Sequence, residues 1–97
     1  MIRHIVLLRF NDQISDAALD AIDAGLGALP ARVETIRTYS CGRDLRLADG
    51  SWDYGIVADF DDADGWRTYD TDDEHNRVRR ELIAPFIADR ASMRFAL

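Results

Sequence analysis

The sequence predicts an α+β fold in which strands and helices follow one another in the order βαββαβ. Four segments carry the alternating or continuous apolar pattern of strands, and the stretches between them repeat apolar residues at helical spacing. The chain has 97 residues, which is the length of one domain, residues 1–97. This order defines the ferredoxin-like arrangement, in which an antiparallel four-stranded sheet carries its helices on one face.

The first half of the chain supplies two strands and one helix. Residues Ile2–Phe10 predict a strand with two largely apolar faces, so we expect it to be covered on both sides. Ser15 is the predicted N-cap of a helix that ends before Pro30, because the residue preceding a proline avoids the α region. Residues 33–41 predict the second strand. The apolar face of the helix consists of Leu19, Ile22, Leu26 and Leu29.

The second half supplies two more strands, with an interrupted helical region between them. Residues 52–60 alternate as the third strand, and Asp61 or Asp62 is predicted to cap a helix that continues through Tyr69. The helical pattern breaks at residues 71–72, and a second helix is expected from there to a point before Pro85. Residues 91–97 alternate as the last strand.

The sheet face that the helices leave open predicts an assembly. It carries isoleucine, valine, leucine and aromatic side chains, which would form a large exposed apolar patch in a monomer of this size. A second copy of the chain would cover this patch. We therefore expect a homodimer in which two sheets pack face to face as a dimeric α/β barrel, with the helices outside.

Composition excludes several classes of partner and chemistry. The formal net charge is −6, so neither nucleic acid nor membrane is an expected partner, because both need a basic surface. All twelve basic residues are arginine, which excludes a Schiff-base lysine. Cys41 is the one cysteine, so no intramolecular disulfide forms and an inert buried thiol is favoured. The N-terminal apolar run is too short for a membrane span and lacks a cleavage site, so a cytoplasmic protein is expected.

The segment YDTDDEH, residues 69–75, holds the groups best suited to chemistry. With Asp72 as the N-cap of a new helix, His75 falls in the first turn of that helix, just beyond the helix that holds Tyr69. An imidazole suits removal of a proton next to a carbonyl, and a phenol can donate a hydrogen bond to the oxygen on which enolate charge develops. The pair is therefore the predicted catalytic site. The alternative is a solvated histidine beside a half-buried tyrosine.

The protonation state of His75 is left open by the sequence. A helix N-terminus favours the neutral imidazole, whereas the neighbouring acids favour the charged form.

Two further residues are candidates for substrate binding. His4 lies among apolar neighbours on the first strand, and Tyr54 shares a strand face with Trp52 and Ile56. The alternatives are a core histidine with one hydrogen bond and a core aromatic side chain.

No metal and no cofactor are expected. The segment DFDDADG lacks the spacing of a calcium-binding loop and its required glutamate, and helix capping accounts for its acids. The segment GLGALP ends a helix instead of opening one, so it is not a dinucleotide-binding fingerprint.

The segments RHIVLLRF, WDYGIVADFDDADGWRTY and YDTDDEH leading into RELIAPFIADR carry a resemblance over nearly the whole chain. They resemble the Dabb domain family of stress-responsive dimeric α/β barrels. The family commonly has a histidine in its first strand, as His4 is here, and a tyrosine and histidine six residues apart, as Tyr69 and His75 are. The chain has DDEH where many relatives have HPAH, so no role of the earlier histidine of HPAH carries over.

The resemblance also implies a function. In the olivetolic acid cyclase-like branch, the residues matching Tyr69 and His75 are the catalytic pair of an aldol cyclisation that needs no metal or cofactor, and the counterpart of His4 lies in the same pocket. It implies a cofactor-independent cyclase, isomerase or monooxygenase-like enzyme acting on a small hydrophobic carbonyl compound, such as a polyketide. The alternative is a non-catalytic stress-responsive or ligand-binding dimer. An open apolar cavity favours the enzyme, and a filled barrel favours the alternative.

Overall fold

The computed structural model describes all 97 residues. The strands are β1 Ile2–Phe10, β2 Ile36–Arg43, β3 Tyr54–Phe60 and β4 Ile87–Ala96, and the helices are α1 Asp16–Gly27, α2 Leu29–Arg32, α3 Ala63–Asp70 and α4 Asp73–Arg77. A π-helical segment, Val78–Ile83, and a 3-10 turn, Ala84–Phe86, connect α4 to β4. None of the helices has both the length and the apolar character needed to cross a membrane.

The strands form one antiparallel sheet in the order β2–β3–β1–β4, with β1 and β3 at the centre. This order confirms the predicted ferredoxin-like βαββαβ fold. In this register His4 lies opposite Ala58 on β3 and opposite Arg94 on β4, and Arg90 lies opposite Leu8. Because alternate residues of a strand share a face, Arg90 and Arg94 lie on the same side of the sheet as His4.

The helices cover the face formed by the even-numbered residues of β1 and β3. Both central strands therefore contribute to a core of 13 buried apolar residues, to which α1 and the π-helical segment add the opposite wall. Complete burial of one large apolar side chain stabilises the fold by about 1.5–3 kcal/mol. The largest fully buried side chains are Tyr54, Tyr69, Phe60, Leu8, Ile22, Leu26, Leu29 and Val78.

The first helix ends before Pro30, as predicted, but the predicted reason is wrong, because Leu29, the residue before Pro30, is itself helical. Helix α1 ends at Gly27, and Pro30 lies in the first turn of α2. An amide at that position would have no partner within the helix, so the missing N–H costs little. Pro85 lies inside the 3-10 turn instead of after the last helical residue.

The strand boundaries also differ from the predicted ones. Strand β4 is longer than the alternating pattern indicated, because its pairing with β1 continues to Ile87 opposite Phe10. The observed strands begin at Ile36, Tyr54 and Ile87, where residues 33, 52 and 91 were predicted.

The sheet face without helices holds a polar cluster among apolar side chains. Arg3 donates to both carboxylate oxygens of Asp59 at 2.8 and 2.9 Å, and the Thr38 hydroxyl donates to Asp59 at 2.7 Å. These hydrogen bonds, with that from Arg3 the largest cause, lower the pKa of Asp59 to about 2. Apolar residues on the same face include Ile5, Leu7, Val57, Met93 and Phe95.

Gly25 lies where α1 packs on the π-helical segment. A Cβ at this position would lie 2.9 Å from Leu82 Cδ1 and 3.2 Å from Val78 Cγ2. We expect Gly25→Val to lower the free energy of unfolding by about 1–3 kcal/mol, the usual cost of overpacking, as measured by urea denaturation. The matched control is Gly27→Val, because no atom lies within 4 Å of a Cβ at Gly27. Equal losses in the two variants would contradict close packing at Gly25.

Candidate active site

Two aspartates cap the N-termini of α3 and α4. Asp62 Oδ1 accepts a hydrogen bond from the Gly65 amide at 2.8 Å, and Asp72 Oδ2 accepts one from the His75 amide at 3.0 Å. Each carboxylate satisfies an amide that has no partner within its own helix. The capping role predicted for Asp72 is confirmed. The cap starts α4 immediately after α3 ends and places His75 in the first turn.

The His75 ring is held against Tyr69 in two ways. Its Nδ1 lies 2.9 Å from the Tyr69 backbone carbonyl oxygen, and the two rings stack with centroids 3.9 Å apart. A carbonyl oxygen only accepts hydrogen bonds, so Nδ1 carries the proton. In the neutral ring, Nε2 is then the nitrogen with a free lone pair.

His4 has the opposite tautomer. Arg94 Nη1 lies 3.1 Å from His4 Nδ1, and a guanidinium only donates, so Nδ1 accepts and the proton of the neutral ring lies on Nε2. Trp66 lies beside the His4 ring, and the Arg94 guanidinium stacks over Trp66 at 4.7 Å. His4 therefore presents a donor nitrogen, whereas His75 presents an acceptor.

Both histidines line a cavity between the helices and the sheet. The cavity has a volume of about 190 Å³, and its walls are mainly apolar. Neither Nε2 atom has a partner in the protein, and neither is sealed from solvent, so both nitrogens are open to a ligand. The lining residues are His4, Val6, Leu8, Leu26, Ile56, Tyr69, His75, Arg79, Ile83, Ala84, Ile87 and Arg90.

The cavity keeps its two imidazoles neutral at pH 7. Burial lowers the pKa of His75 to about 4, and the positive charge of Arg79 adds to this effect. Burial also lowers the pKa of His4 to about 4, with further contributions from the charges of Arg94 and Arg90. The opposing effect of the acids in YDTDDEH is therefore the weaker one, because burial penalises the imidazolium directly.

The Tyr69 hydroxyl is buried and hydrogen-bonded to another tyrosine. The hydroxyl oxygens of Tyr69 and Tyr39 lie 2.9 Å apart. Burial raises the pKa of Tyr69 to about 12, so its hydroxyl keeps the proton at neutral pH. When Tyr39 is the donor within the pair, the proton of Tyr69 is left for a third group.

The structure brings three of the four predicted site residues together. Tyr69, His75 and His4 line one cavity, and the rings of His4 and Tyr69 have centroids 5.9 Å apart. Tyr54 does not line this cavity. Its side chain is buried beside Phe10, and its hydroxyl donates to Asp23 Oδ1 at 2.6 Å. The core position that was the alternative for Tyr54 is the one observed.

Several residues of the site did not stand out in the sequence. Tyr39 contacts Tyr69 from β2, Arg79 comes from the π-helical segment, and Arg90 and Arg94 come from β4. The alternation of β4 was the available signal, because it places two arginines on the face opposite its apolar residues. The chain contains no group of three or more histidine, cysteine, aspartate or glutamate side chains that could hold a metal ion.

Comparisons with known proteins agree with this architecture. The sequence matches the Dabb family, the Stress responsive A/B Barrel Domain, over residues 2–96. The crystal structure of a dimeric ferredoxin-like protein of unknown function from Thermobifida fusca is 40% identical with a TM-score of 0.92, covering 99% of this chain and 90% of that one. No curated protein matches.

Two more distant structures share the fold. A dimeric protein of unknown function with a ferredoxin-like fold from Bacteroides fragilis is 23% identical, with a TM-score of 0.88 and coverage of 99% of this chain and 95% of that one. The hydroxynitrile lyase from Passiflora edulis is 18% identical, with a TM-score of 0.85 and coverage of 99% of this chain and 92% of that one.

Fold and cavity together define a ferredoxin-like α+β domain with a histidine-lined pocket under its helices. The chain belongs to the Dabb family, because the family match covers almost its whole length.

The two neutral imidazoles generate a prediction for stability against pH. The folded protein resists protonation of His4 and His75 down to about pH 4, whereas in the unfolded chain both titrate near 6.5. Their stabilising contribution is therefore full above about pH 6.5 and is lost as the pH falls towards 4. We expect the free energy of unfolding, measured by urea denaturation, to fall as the pH is lowered across this window. Unfolding within the window should be accompanied by the binding of up to about two protons.

The double variant His4→Gln/His75→Gln is the control. Its free energy of unfolding should vary much less between pH 6.5 and 4. The Asp59 carboxylate does not interfere, because its lowered pKa of about 2 places its loss of stability below about pH 4. The same pH dependence in wild type and double variant would contradict neutral buried imidazoles.

Proposed function

We propose that the protein is an acid–base enzyme of the cyclase or isomerase type, acting on a hydrophobic carbonyl compound held in the cavity. His75 is the general base, and Tyr69 donates a hydrogen bond to the carbonyl oxygen. One observation carries this proposal. The Nδ1 proton of His75 is bound by the Tyr69 carbonyl, which leaves Nε2 as an open acceptor in an apolar pocket.

The environment of His75 supports its role as a base. Its lowered pKa of about 4 keeps it in the unprotonated form at neutral pH, which is the form that removes a proton. The bond to Tyr69 fixes the ring direction, so no binding energy is needed to orient it. The mainly apolar walls of the cavity leave Nε2 without a competing hydrogen-bond partner in the protein.

Two donors can stabilise the oxygen of the substrate. The Tyr69 hydroxyl keeps its proton at neutral pH, and with Tyr39 as the donor of their hydrogen bond this proton is free to bind the carbonyl oxygen. The Nε2–H of His4 lies on the same cavity wall and supplies a second hydrogen bond. Preorganised donors of this kind act most strongly where charge develops in the transition state.

The proton transfer balances with these groups alone. Nε2 of His75 takes a proton from the carbon next to the carbonyl, and the electron pair of that C–H bond moves to the carbonyl oxygen to form an enolate. Tyr69 and His4 hold the enolate oxygen. In a cyclisation, the carbon attacks a second carbonyl carbon of the same molecule, the π electrons of that C=O bond move to its oxygen, and His75 gives its proton to this oxygen. In an isomerisation, His75 gives the same proton to a different carbon of the enolate.

Comparison with known enzymes supports the fold and leaves the reaction as a proposal. The hydroxynitrile lyase from Passiflora edulis shares the fold at 18% identity, which is evidence for the shape of the chain only. The competing interpretation, a dimer that binds a ligand without turning it over, predicts that the cavity residues affect binding and no chemical step.

Catalysis is testable with a simple ketone. Acetophenone has one aromatic ring and exchangeable protons next to its carbonyl, so exchange with deuterium followed by NMR reports base catalysis directly. We expect His75→Gln to lower the exchange rate by about 10²–10⁴-fold, the usual contribution of a general base. The wild-type rate should rise with pH through about 4 and then level off, because the base titrates there.

Tyr69→Phe should reduce the exchange rate and keep the ring stacked on His75. The matched control is Tyr54→Phe, which removes a buried hydroxyl outside the cavity and should leave the rate unchanged. Exchange that proceeds equally well in wild type and His75→Gln would contradict the enzyme proposal and favour a binding role.

We also propose that the chain forms a homodimer through the open face of its sheet. The 40%-identical Thermobifida fusca protein is described as dimeric, and the open face here combines apolar side chains with the neutralised Arg3–Asp59 pair. A partner sheet would bury the exposed Met93 and Phe95, which are 55% and 39% accessible in the single chain.

Sedimentation velocity at micromolar concentration tests the dimer. We expect wild type to sediment as a dimer and Ile5→Glu to sediment as a monomer, because the charge would be buried without a partner. Ala17→Glu adds the same charge to an exposed position of α1 and should remain dimeric. A monomeric wild type would refute the proposal.

A further inference from the structure

The arginines of this chain are mostly neutralised, with a local exception beside the cavity. Eight of the twelve form ion pairs with carboxylates, and these are Arg3, Arg32, Arg37, Arg43, Arg46, Arg67, Arg77 and Arg79. The other four, Arg9, Arg80, Arg90 and Arg94, have no carboxylate partner, and of these only Arg90 and Arg94 lie beside the cavity. Both lie on the side of β4 that faces the helices.

The three arginines around the cavity differ in what they already bind. Arg79 is paired with Asp70, and Arg94 donates to His4 and stacks on Trp66. The side chain of Arg90 has one hydrogen bond, a 3.4 Å contact with the Ser92 hydroxyl. Arg90 is therefore the cavity-lining guanidinium with the most unused donors.

The positive charge at the cavity comes from arginine and not from histidine. Both imidazoles are neutral at pH 7, as described above, whereas a guanidinium remains charged. Nearby acids do not cancel the charge of Arg90. Asp70 is paired with Arg79. Asp89 accepts a hydrogen bond from the Arg90 backbone amide at 2.8 Å. Because side chains alternate between the faces of a strand, the side chains of Asp89 and Arg90 lie on opposite faces.

An apolar cavity with one unpaired guanidinium at its wall fits an amphiphilic anion. A carboxylate matches the fork geometry of arginine and forms two charge-assisted hydrogen bonds with it. The volume of about 190 Å³ is slightly larger than that of cavities that hold a benzene molecule, so it accepts one aromatic ring or a short alkyl chain.

We propose that the substrate is an oxo-carboxylic acid whose carboxylate is bound by Arg90, with its aryl or alkyl group in the apolar part of the cavity. Its ketone oxygen faces Tyr69 and His4, and its acidic C–H faces His75. This inference rests on the proposed function for the position of the ketone. The binding of the carboxylate by Arg90 is a separate claim, which is measured without turnover.

The experiment compares two nearly isosteric probes. The probes are 4-oxo-4-phenylbutanoate and its primary amide, 4-oxo-4-phenylbutanamide, and their dissociation constants are measured by isothermal titration calorimetry at low ionic strength. We expect wild type to bind the acid at least about tenfold more tightly than the amide, because the carboxylate accepts charge-assisted hydrogen bonds. Raising the salt concentration should reduce this preference.

Arg90→Gln should bring the two dissociation constants within about twofold of each other, because glutamine keeps a donor and removes the charge. Arg80→Gln is the matched control. Arg80 is exposed, forms no ion pair and does not line this cavity, so its loss should leave the preference for the acid intact. Thermal melting curves of both variants confirm that the fold is retained.

Equal binding of the two probes by wild type, an undiminished preference in Arg90→Gln, or binding of neither probe would each overturn the inference. The preference should persist in His75→Gln, which removes the proposed base. A retained preference without any deuterium exchange in wild type would therefore refute the proposed function and leave the carboxylate site standing.

Discussion

The hydrogen bond between His75 Nδ1–H and the Tyr69 backbone carbonyl is the constraint on which the site depends. Helix α3 ends at Asp70, so the Tyr69 carbonyl has no amide partner four residues later within the helix. It accepts from the Asp72 amide at 3.2 Å and, with its second lone pair, from the histidine ring at 2.9 Å. Asp72 caps the next helix one turn before that ring. The end of α3 and the capped start of α4 thus determine which nitrogen of His75 is basic.

Charge and tautomer in the cavity follow from the same packing. Burial disfavours a charged imidazole, and the arginines near the cavity disfavour it further. Arg94 fixes His4 as a donor, whereas the Tyr69 carbonyl fixes His75 as an acceptor. A pocket with both an acceptor and a donor suits a reaction in which a proton leaves carbon while charge grows on oxygen. The π-helical segment after α4 contributes Arg79 and Ile83 to the same wall, and such segments are frequent at functional sites.

Much of the fold was predictable because its signals are local. The run of apolar residues on both faces predicted β1 with its observed bounds. The position of Asp72 directly before a helical pattern predicted its role as an N-cap. The extent of β4 was not predictable, because its first residues are held by pairing with Phe10 on a distant strand. The first helix ends before Pro30, but the second short helix that contains Pro30 was missed for a related reason. A proline is compatible with the end of one helix and with the first turn of the next, and only the path of the chain decides between them.

The site was predictable in part. The spacing of Tyr69 and His75 around a helix break indicated a pair, and both line the cavity. The tautomers of the two histidines were not predictable. That of His75 depends on a backbone carbonyl, and that of His4 depends on Arg94, which is 90 residues away in the chain. Tyr54 shares its strand pattern with cavity residues, yet its hydroxyl turns to Asp23 instead. A face of a strand can be read from sequence, but a hydrogen-bond partner cannot.

The tautomers of the two histidines test this account most directly. Nitrogen-15 NMR of the imidazole rings at pH 7 distinguishes a protonated Nδ1 from a protonated Nε2. The structure predicts that His75 carries its proton on Nδ1 and His4 on Nε2, with both rings neutral. Two rings with the same tautomer, or a His75 ring that titrates near pH 6.5, would contradict the account.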